Sequence, residues 1–259
     1  MILAIDIGNT NIVMGVFDGE KLLFRERISS NQKTTDLEYA MATKTALEMN
    51  GVQAEKLTGV VMSSVVPSIT NTFKRAVEKL TAAQLVVVGP GVRTGLKIMI
   101  DDPGQLGSDL VVDAVAGIAE YPVPQIIIDM GTATTFSVIG SDGSYLGGVI
   151  STGMAVSAEA LFNKTSQLPR ISFDRPRRVI GKNTVDCMKS GIMYANACSI
   201  DGMIERIEEE LGASCTVIAT GGLAGIVTPL CKRKIILDDD LMLKGLALIY
   251  NRNCKGDKI

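Results

Sequence analysis

The chain has 259 residues, 46% hydrophobic and 21% charged, which excludes a disordered polymer and leaves one large or two small domains. Lys+Arg is 26 and Asp+Glu is 28, a formal net charge of −2, so neither nucleic acid nor an anionic membrane is expected as a partner. Histidine is absent, which removes Ser-His-Asp and Cys-His catalysis and leaves chemistry to carboxylates, Lys/Arg, hydroxyls, thiols, backbone N–H groups or a bound ion.

The chain opens on a short β-branched run, Ile2 to Ile5, followed by Asp6-Ile7-Gly8-Asn9-Thr10-Asn11. No basic stretch precedes it and Asp6 interrupts it, so no signal peptide is expected. A second run, Ile12 to Phe17, ends at Asp18-Gly19, and Lys21 to Ile28 makes a third. An Asp-Gly turn between such runs predicts a hairpin, hence three antiparallel strands. Asp36 to Asn50 is predicted helical, closed by Gly51. Gly59 to Ser63 is predicted as a strand, Ser68 to Leu80 as a helix capped by Ser68, and Leu85 to Val88 as a strand. Leu106 to Ala119 reads as a helix with Leu110, Val111, Ala114, Val115 and Ile118 on one face.

The opening pattern then returns. Ile126-Ile127-Ile128 leads to Asp129-Met130-Gly131-Thr132-Ala133-Thr134-Thr135, a further run to Ile139, and Asp142-Gly143. Asp129 falls on Asp6 and Gly131 on Gly8, the pattern of an internal duplication. The division falls near Tyr121-Pro122-Val123-Pro124 and gives halves of residues 1–120 and 121–259. The second half continues through a glycine-rich stretch and helices to a strand, Thr216 to Ala219, the turn Thr220-Gly221-Gly222, and a closing helix from Asp240 to Asn251. The longest uncharged stretch, Gly212 to Cys231, has membrane length, but its glycines and Pro229 predict a strand, a turn and a short helix. None of the five cysteines lies in a C-x-x-C pair, so a reduced, cytoplasmic chain with small buried thiols is expected.

Four segments carry candidate chemistry. In the turn Asp6 to Asn11, glycine allows close approach of a ligand, Asn and Thr offer donors to phosphate, and Asp6 suits a hydrated Mg²⁺. An ordinary β-turn is the plainer reading of the same residues. The matching turn at Asp129 to Thr135 favours a pair of phosphate clamps, one per repeat. Thr220-Gly221-Gly222 exposes backbone suited to an adenine or ribose. Gly107-Ser108-Asp109-Leu110 opens a helix on which Asp109 and Asp113 share a face. A carboxylate is the natural general base in a chain without histidine, although Ser108 or Asp109 also reads as a simple helix cap. Arg175-Pro176-Arg177-Arg178 reads as a solvated basic loop or an anion contact.

Together these motifs resemble the acetate and sugar kinase/Hsp70/actin superfamily, and within it the type III pantothenate kinases, over nearly the whole chain. Gly147-Gly148-Val149-Ile150, Gly153 and Gly181-Lys182-Asn183-Thr184-Val185 match further family segments. The resemblance implies an α/β fold of duplicated ribonuclease H-like (actin-like ATPase) domains, each a mixed five-stranded sheet with flanking helices. It implies ATP-dependent phosphorylation of pantothenate in coenzyme A synthesis, by a cytoplasmic homodimer. It assigns Asp109 as catalytic base. Asp6, Gly8, Asn9, Thr10, Asn11 and Thr132 would contact ATP and its Mg²⁺. Asp129 would help hold a monovalent cation, K⁺ or NH₄⁺. Gly107, Ser108, Asp109, Leu110 and Thr184 would meet pantothenate.

Two positions depart from the family pattern. Leu110 stands where arginine is usual, and Asp102-Pro103 where Asn-Pro is common. Losing one charge-assisted contact to the substrate carboxylate costs about 1.5–3 kcal/mol, roughly ten- to over a hundredfold in binding. Either another cation serves (Arg93, Lys97 or one near Arg175 to Arg178), or the acceptor is a different alcohol or acid, or the chain is a non-catalytic, small-molecule-binding paralogue.

Overall fold

A computed structural model describes residues 1–254. The chain runs β1 (Ile2–Ile7), β2 (Asn11–Asp18), β3 (Lys21–Ser29), α1 (Asp36–Met49), β4 (Gly59–Ser64), α2 (Pro67–Leu80), β5 (Gln84–Val87) and α3 (Ser108–Glu120). It continues as β6 (Gln125–Met130), β7 (Ala133–Ile139), β8 (Tyr145–Thr152), α4 (Met154–Asn163), α5 (Thr184–Leu211), β9 (Thr216–Thr220), α6 (Ala224–Val227), β10 (Ile236–Leu237) and α7 (Leu241–Cys254). Two compact units result. One holds Met1–Leu96, Asp102–Ala116 and the segment from Asp240; the other holds Lys97–Asp101 and Gly117–Asp239.

In the first unit the sheet order is β3-β2-β1-β4-β5. β1 to β3 pair antiparallel, whereas β4 and β5 run parallel to β1. β1 is covered on both faces, which is why it reads as a continuous apolar run rather than an alternation. Leu3, Ile5 and Ile7 pack with Tyr39 and Leu47 of α1 and Ile69 and Phe73 of α2. Ile2 and Ala4 turn the other way, into a cluster with Val112 and Val115 of α3 and Leu243 and Leu246 of α7. Each fully buried Val, Leu, Ile or Phe among them contributes about 1.5–3 kcal/mol. α1 starts at a capping box between Thr35 and Glu38. α2 starts one residue earlier than its sequence suggests: Pro67 takes the first helical position, and Ser68 lies inside the first turn instead of capping it.

The second unit repeats the topology, with sheet order β10-β9-β6-β7-β8. β6, β7 and β8 form the antiparallel meander, and β9 runs parallel to β6. Ile126, Ile128 and Met130 pack against Met193, Ala197, Ile200 and Ile204 of α5. The uncharged stretch resolves into β9, a turn and the short α6, and no helix among the described residues is long and apolar enough to cross a membrane. All five cysteines are free thiols. Cys215 is buried, but Cys187 and Cys198 are exposed on α5, contrary to the expectation of small buried residues.

The duplication extends to single residues. β1 and β6 share one burial pattern, in which the fifth residue alone is half-exposed, and that residue is Asp6 in one and Asp129 in the other.

Candidate active site

Asp6 sits one residue before the end of β1, on the face opposite Ile5 and Ile7. The turn that follows is closed by the Gly8 N–H donating to the Asn11 carbonyl at 3.0 Å. Ser30, just past β3, holds the turn from behind. Its hydroxyl donates to the Gly8 carbonyl at 2.6 Å, and its N–H donates to the Thr10 carbonyl at 3.0 Å. Two carbonyl oxygens of the turn are thereby occupied by Ser30. Asn9 and Thr10 are exposed at the tip.

The helix carrying Asp109 is anchored beside the same strands. Ser108, the first residue of α3, has its hydroxyl 2.9 Å from that of Ser63 on β4, and it also donates to the Ser64 carbonyl at 3.3 Å. Ser63 is the parallel neighbour of Asp6. Burial pushes the Asp109 carboxyl above its usual range, against the opposing effect of the Leu110 N–H, which donates to Oδ1 at 2.9 Å. One turn on, Asp113 is only 1% exposed. The first unit therefore brings together Asp6, Gly8 to Asn11 and Gly107 to Leu110.

The Asp102 departure has a local account. Its Oδ1 accepts from the Gly104 N–H at 3.0 Å, a cap that an asparagine oxygen supplies equally well. Of the alternative cations, Lys97 is paired with Asp142 at 3.3 Å, and Arg175, Arg177 and Arg178 are exposed.

In the second unit the corresponding turn is one residue shorter. Ile7 pairs with Ile12 in the first hairpin, whereas Met130 pairs with Thr134 in the second. The Gly131 N–H donates to the Ala133 carbonyl at 2.9 Å, and the Gly153 N–H to the Thr132 carbonyl at 3.2 Å. A Cβ on Gly153 would collide with that Thr132 carbonyl, so α4 can approach the turn so closely only through glycine. Thr220 is the parallel neighbour of Asp129, and Gly221, at φ +95°, carries the chain across the Asp129–Met130 backbone. Thr135 lies directly opposite Asp129 on β7, with its hydroxyl oxygen buried and without a protein hydrogen-bond partner. Thr132 is exposed. The second unit therefore gathers Asp129, Thr132 and the Thr220–Gly222 turn. Thr184 is carried by a separate element, as the first residue of α5 after the Asn183 cap.

Ser30 and Ser63 carry no role in the expectations drawn from sequence, and Thr135 enters them only as the last residue of the second turn. The only signal for them is a hydroxyl at or near the end of an otherwise apolar strand, a pattern that also marks ordinary strand ends.

A family model described as type III pantothenate kinase matches residues 2–206. The chain belongs to the type III pantothenate kinase family. A member from Exiguobacterium sp. is 44% identical over 255 residues, covering 98% of this chain and all of that protein. One from Moorella thermoacetica is 42% identical over 253 residues, covering 98% and 100%. Likeness to solved structures is one of fold. A Baf family transcriptional activator from Campylobacter jejuni superposes with TM-score 0.58 at 19% identity, covering 98% of this chain and 99% of that one. An activator of 2-hydroxyisocaproyl-CoA dehydratase from Clostridium difficile, with bound ADPNP, gives 0.57 at 17%, covering 96% and 93%. The duplicated sheets thus belong to the actin-like ATPase and sugar kinase fold expected from the paired turns.

Proposed function

We propose that the chain transfers a phosphoryl group from ATP to the hydroxyl of pantothenate, giving 4'-phosphopantothenate at the start of coenzyme A synthesis. The observation that carries this reading is the end-to-end match, at 42–44% identity, to proteins named for that reaction. Nothing favours the non-catalytic alternative that Leu110 raised.

Asp109 takes the proton from the attacking hydroxyl. Its raised pKa makes it a stronger base than an ordinary carboxylate, and a half-buried carboxylate is the base available without histidine. Asp6, with Gly8, Asn9, Thr10 and Asn11, and Thr132 in the second turn, contact ATP. The half-exposed Asp6 offers the hard oxygen that Mg²⁺ prefers, and Mg²⁺ would supply charge neutralisation along the phosphates. The buried, unpartnered Thr135 hydroxyl opposite Asp129 fits a monovalent cation, K⁺ or NH₄⁺, which takes oxygen donors of this kind. Gly107, Ser108, Leu110 and Thr184 meet pantothenate. In phosphoryl transfer, positioning and charge neutralisation supply most of the acceleration, and this donor set is built for both.

The protein acts in the cytoplasm as a homodimer on this reading. Val179 and Ile180, 62% and 81% exposed beside an apolar groove along α5, are the kind of surface a second copy covers. The test is phosphorylation of pantothenate by ATP and Mg²⁺ in potassium and in sodium buffer. Turnover in potassium and little in sodium is expected. No turnover in either, from folded protein that binds ATP, overturns the assignment.

A further inference from the structure

β4 is apolar except at its last two residues, Ser63 and Ser64. Ser63 is 0% exposed. Side chains alternate along a strand, so Ser63 points the same way as Val61, toward the cluster that contains Val112 and Val115 of α3. A buried hydroxyl without a partner is costly, and this one lies 2.9 Å from the Ser108 hydroxyl. Each hydroxyl has one proton. Ser108 gives its own to the Ser64 carbonyl, so Ser63 donates to Ser108.

This pair sits at a sensitive place. The first turn of a helix lacks half of its backbone hydrogen bonds and frays readily. Ser108 is the first residue of α3 and Asp109 the second. The segment before it, Asp102 to Gly107, is a short 3₁₀ turn and loop that lies largely exposed. On the other side, Ser63 is held in register with Asp6 by the β1–β4 ladder. One hydroxyl pair therefore joins the strand beside Asp6 to the helical turn that carries Asp109. Displacement of a reacting group by about 1 Å can cost a hundredfold in rate.

We infer that Ser63 is a positioning residue for Asp109, acting through Ser108 to fix the first turn of α3 against the strand beside Asp6. The inference rests on the kinase reading above and extends it to a residue outside the substrate and nucleotide contacts. It specifies which steps Ser63 influences. The Ser63 hydroxyl is directed at Ser108 and not at the Gly8–Asn11 turn, so its loss is expected to act on turnover and to spare nucleotide affinity.

The experiment compares Ser63→Ala and the isosteric Ser63→Cys with the wild type in pantothenate phosphorylation, with amide hydrogen exchange followed at Leu110 and Val111. In either variant that folds, kcat falls about tenfold, KM for ATP stays within twofold, and exchange at the two amides quickens. A kcat within twofold of wild type in a folded variant overturns the inference. So does a fall in kcat matched by a rise in KM for ATP, which marks a general distortion of the sheet. Wild-type protein that does not phosphorylate pantothenate overturns the kinase reading, and the inference falls with it.

Discussion

Gly221 passes so close to Asp129 that a methyl group in place of its hydrogen would overlap the carboxylate Oδ1 and lie 2.6 Å from the Met130 nitrogen. The residue also holds φ at +95°, a region that costs an alanine about 1–3 kcal/mol. Both constraints act on the same atoms. Gly221→Ala is therefore expected to lower Tm and to displace the Asp129 carboxylate, with turnover reduced at least tenfold. Thermal melts and steady-state assays on the purified variant check this. An alanine variant with wild-type Tm and turnover would mean that the turn relaxes without moving Asp129.

Asp109 should show function and stability in opposition. Its folded pKa is raised by burial, so its charged form costs stability at neutral pH. That cost is present above the folded pKa and is relieved as pH falls through it, because the folded chain then takes up the proton before the unfolded chain does. Asp109→Asn removes the charge. It is expected to raise Tm at pH 7, with the advantage shrinking as pH falls, while kcat drops by about 10²–10⁴-fold. In the wild type, kcat/KM should fall on the acid side at a pH above the ordinary aspartate range. A pH series of melts and rates on both proteins tests the two signs together.

The duplication was legible because β1 and β6 are apolar runs closed by the same Asp-x-Gly, and these covered central strands show no polar alternation to confuse the pattern. The reach of α7 was not legible. Its periodicity marks an apolar face but carries no information on which sheet that face covers, and Leu243 and Leu246 close the first sheet after more than a hundred residues of the second unit. The Ser68 cap failed for a local reason: Pro67 arrives with its φ already fixed near the helical value, so the helix begins there. Asp6, Asp109 and Asp129 stood out as carboxylates at turns and at a helix start. Ser30 and Ser63 did not, because their significance lies in what they touch across the sheet, the Gly8 carbonyl and the Ser108 hydroxyl.

Ser30 offers a way to separate nucleotide binding from acceptor binding. Its hydroxyl bond to the Gly8 carbonyl is one of two that hold the Gly8–Asn11 turn from behind, and the other comes from its backbone. Ser30→Ala deletes only the first. A hydrogen bond of this type contributes about 0.5–1.5 kcal/mol, which corresponds to a rise in KM for ATP of roughly two- to twelvefold. KM for pantothenate is expected to stay constant. Equal increases in both constants would show that Ser30 supports the unit as a whole rather than the turn.

Leu110 stands where the resemblance drawn from sequence leads one to expect arginine. Its backbone does useful work, donating to Asp109, but its half-buried side chain brings no charge to a substrate that carries a carboxylate. The cations nearest to hand in the sequence are poor replacements: Lys97 is engaged with Asp142, and the arginines at 175, 177 and 178 are exposed. Exposed cations gain little from a single ion pair, whereas an arginine fork on the first turn of α3 would be preorganised. Leu110→Arg is therefore expected to lower KM for pantothenate by about tenfold, in line with one charge-assisted hydrogen bond, and to leave KM for ATP unchanged. Steady-state kinetics with pantothenate varied at saturating ATP measures this. An unchanged KM would mean that another cation already holds the carboxylate, and a charge-removal series through Arg93, Arg175, Arg177 and Arg178 would then find it.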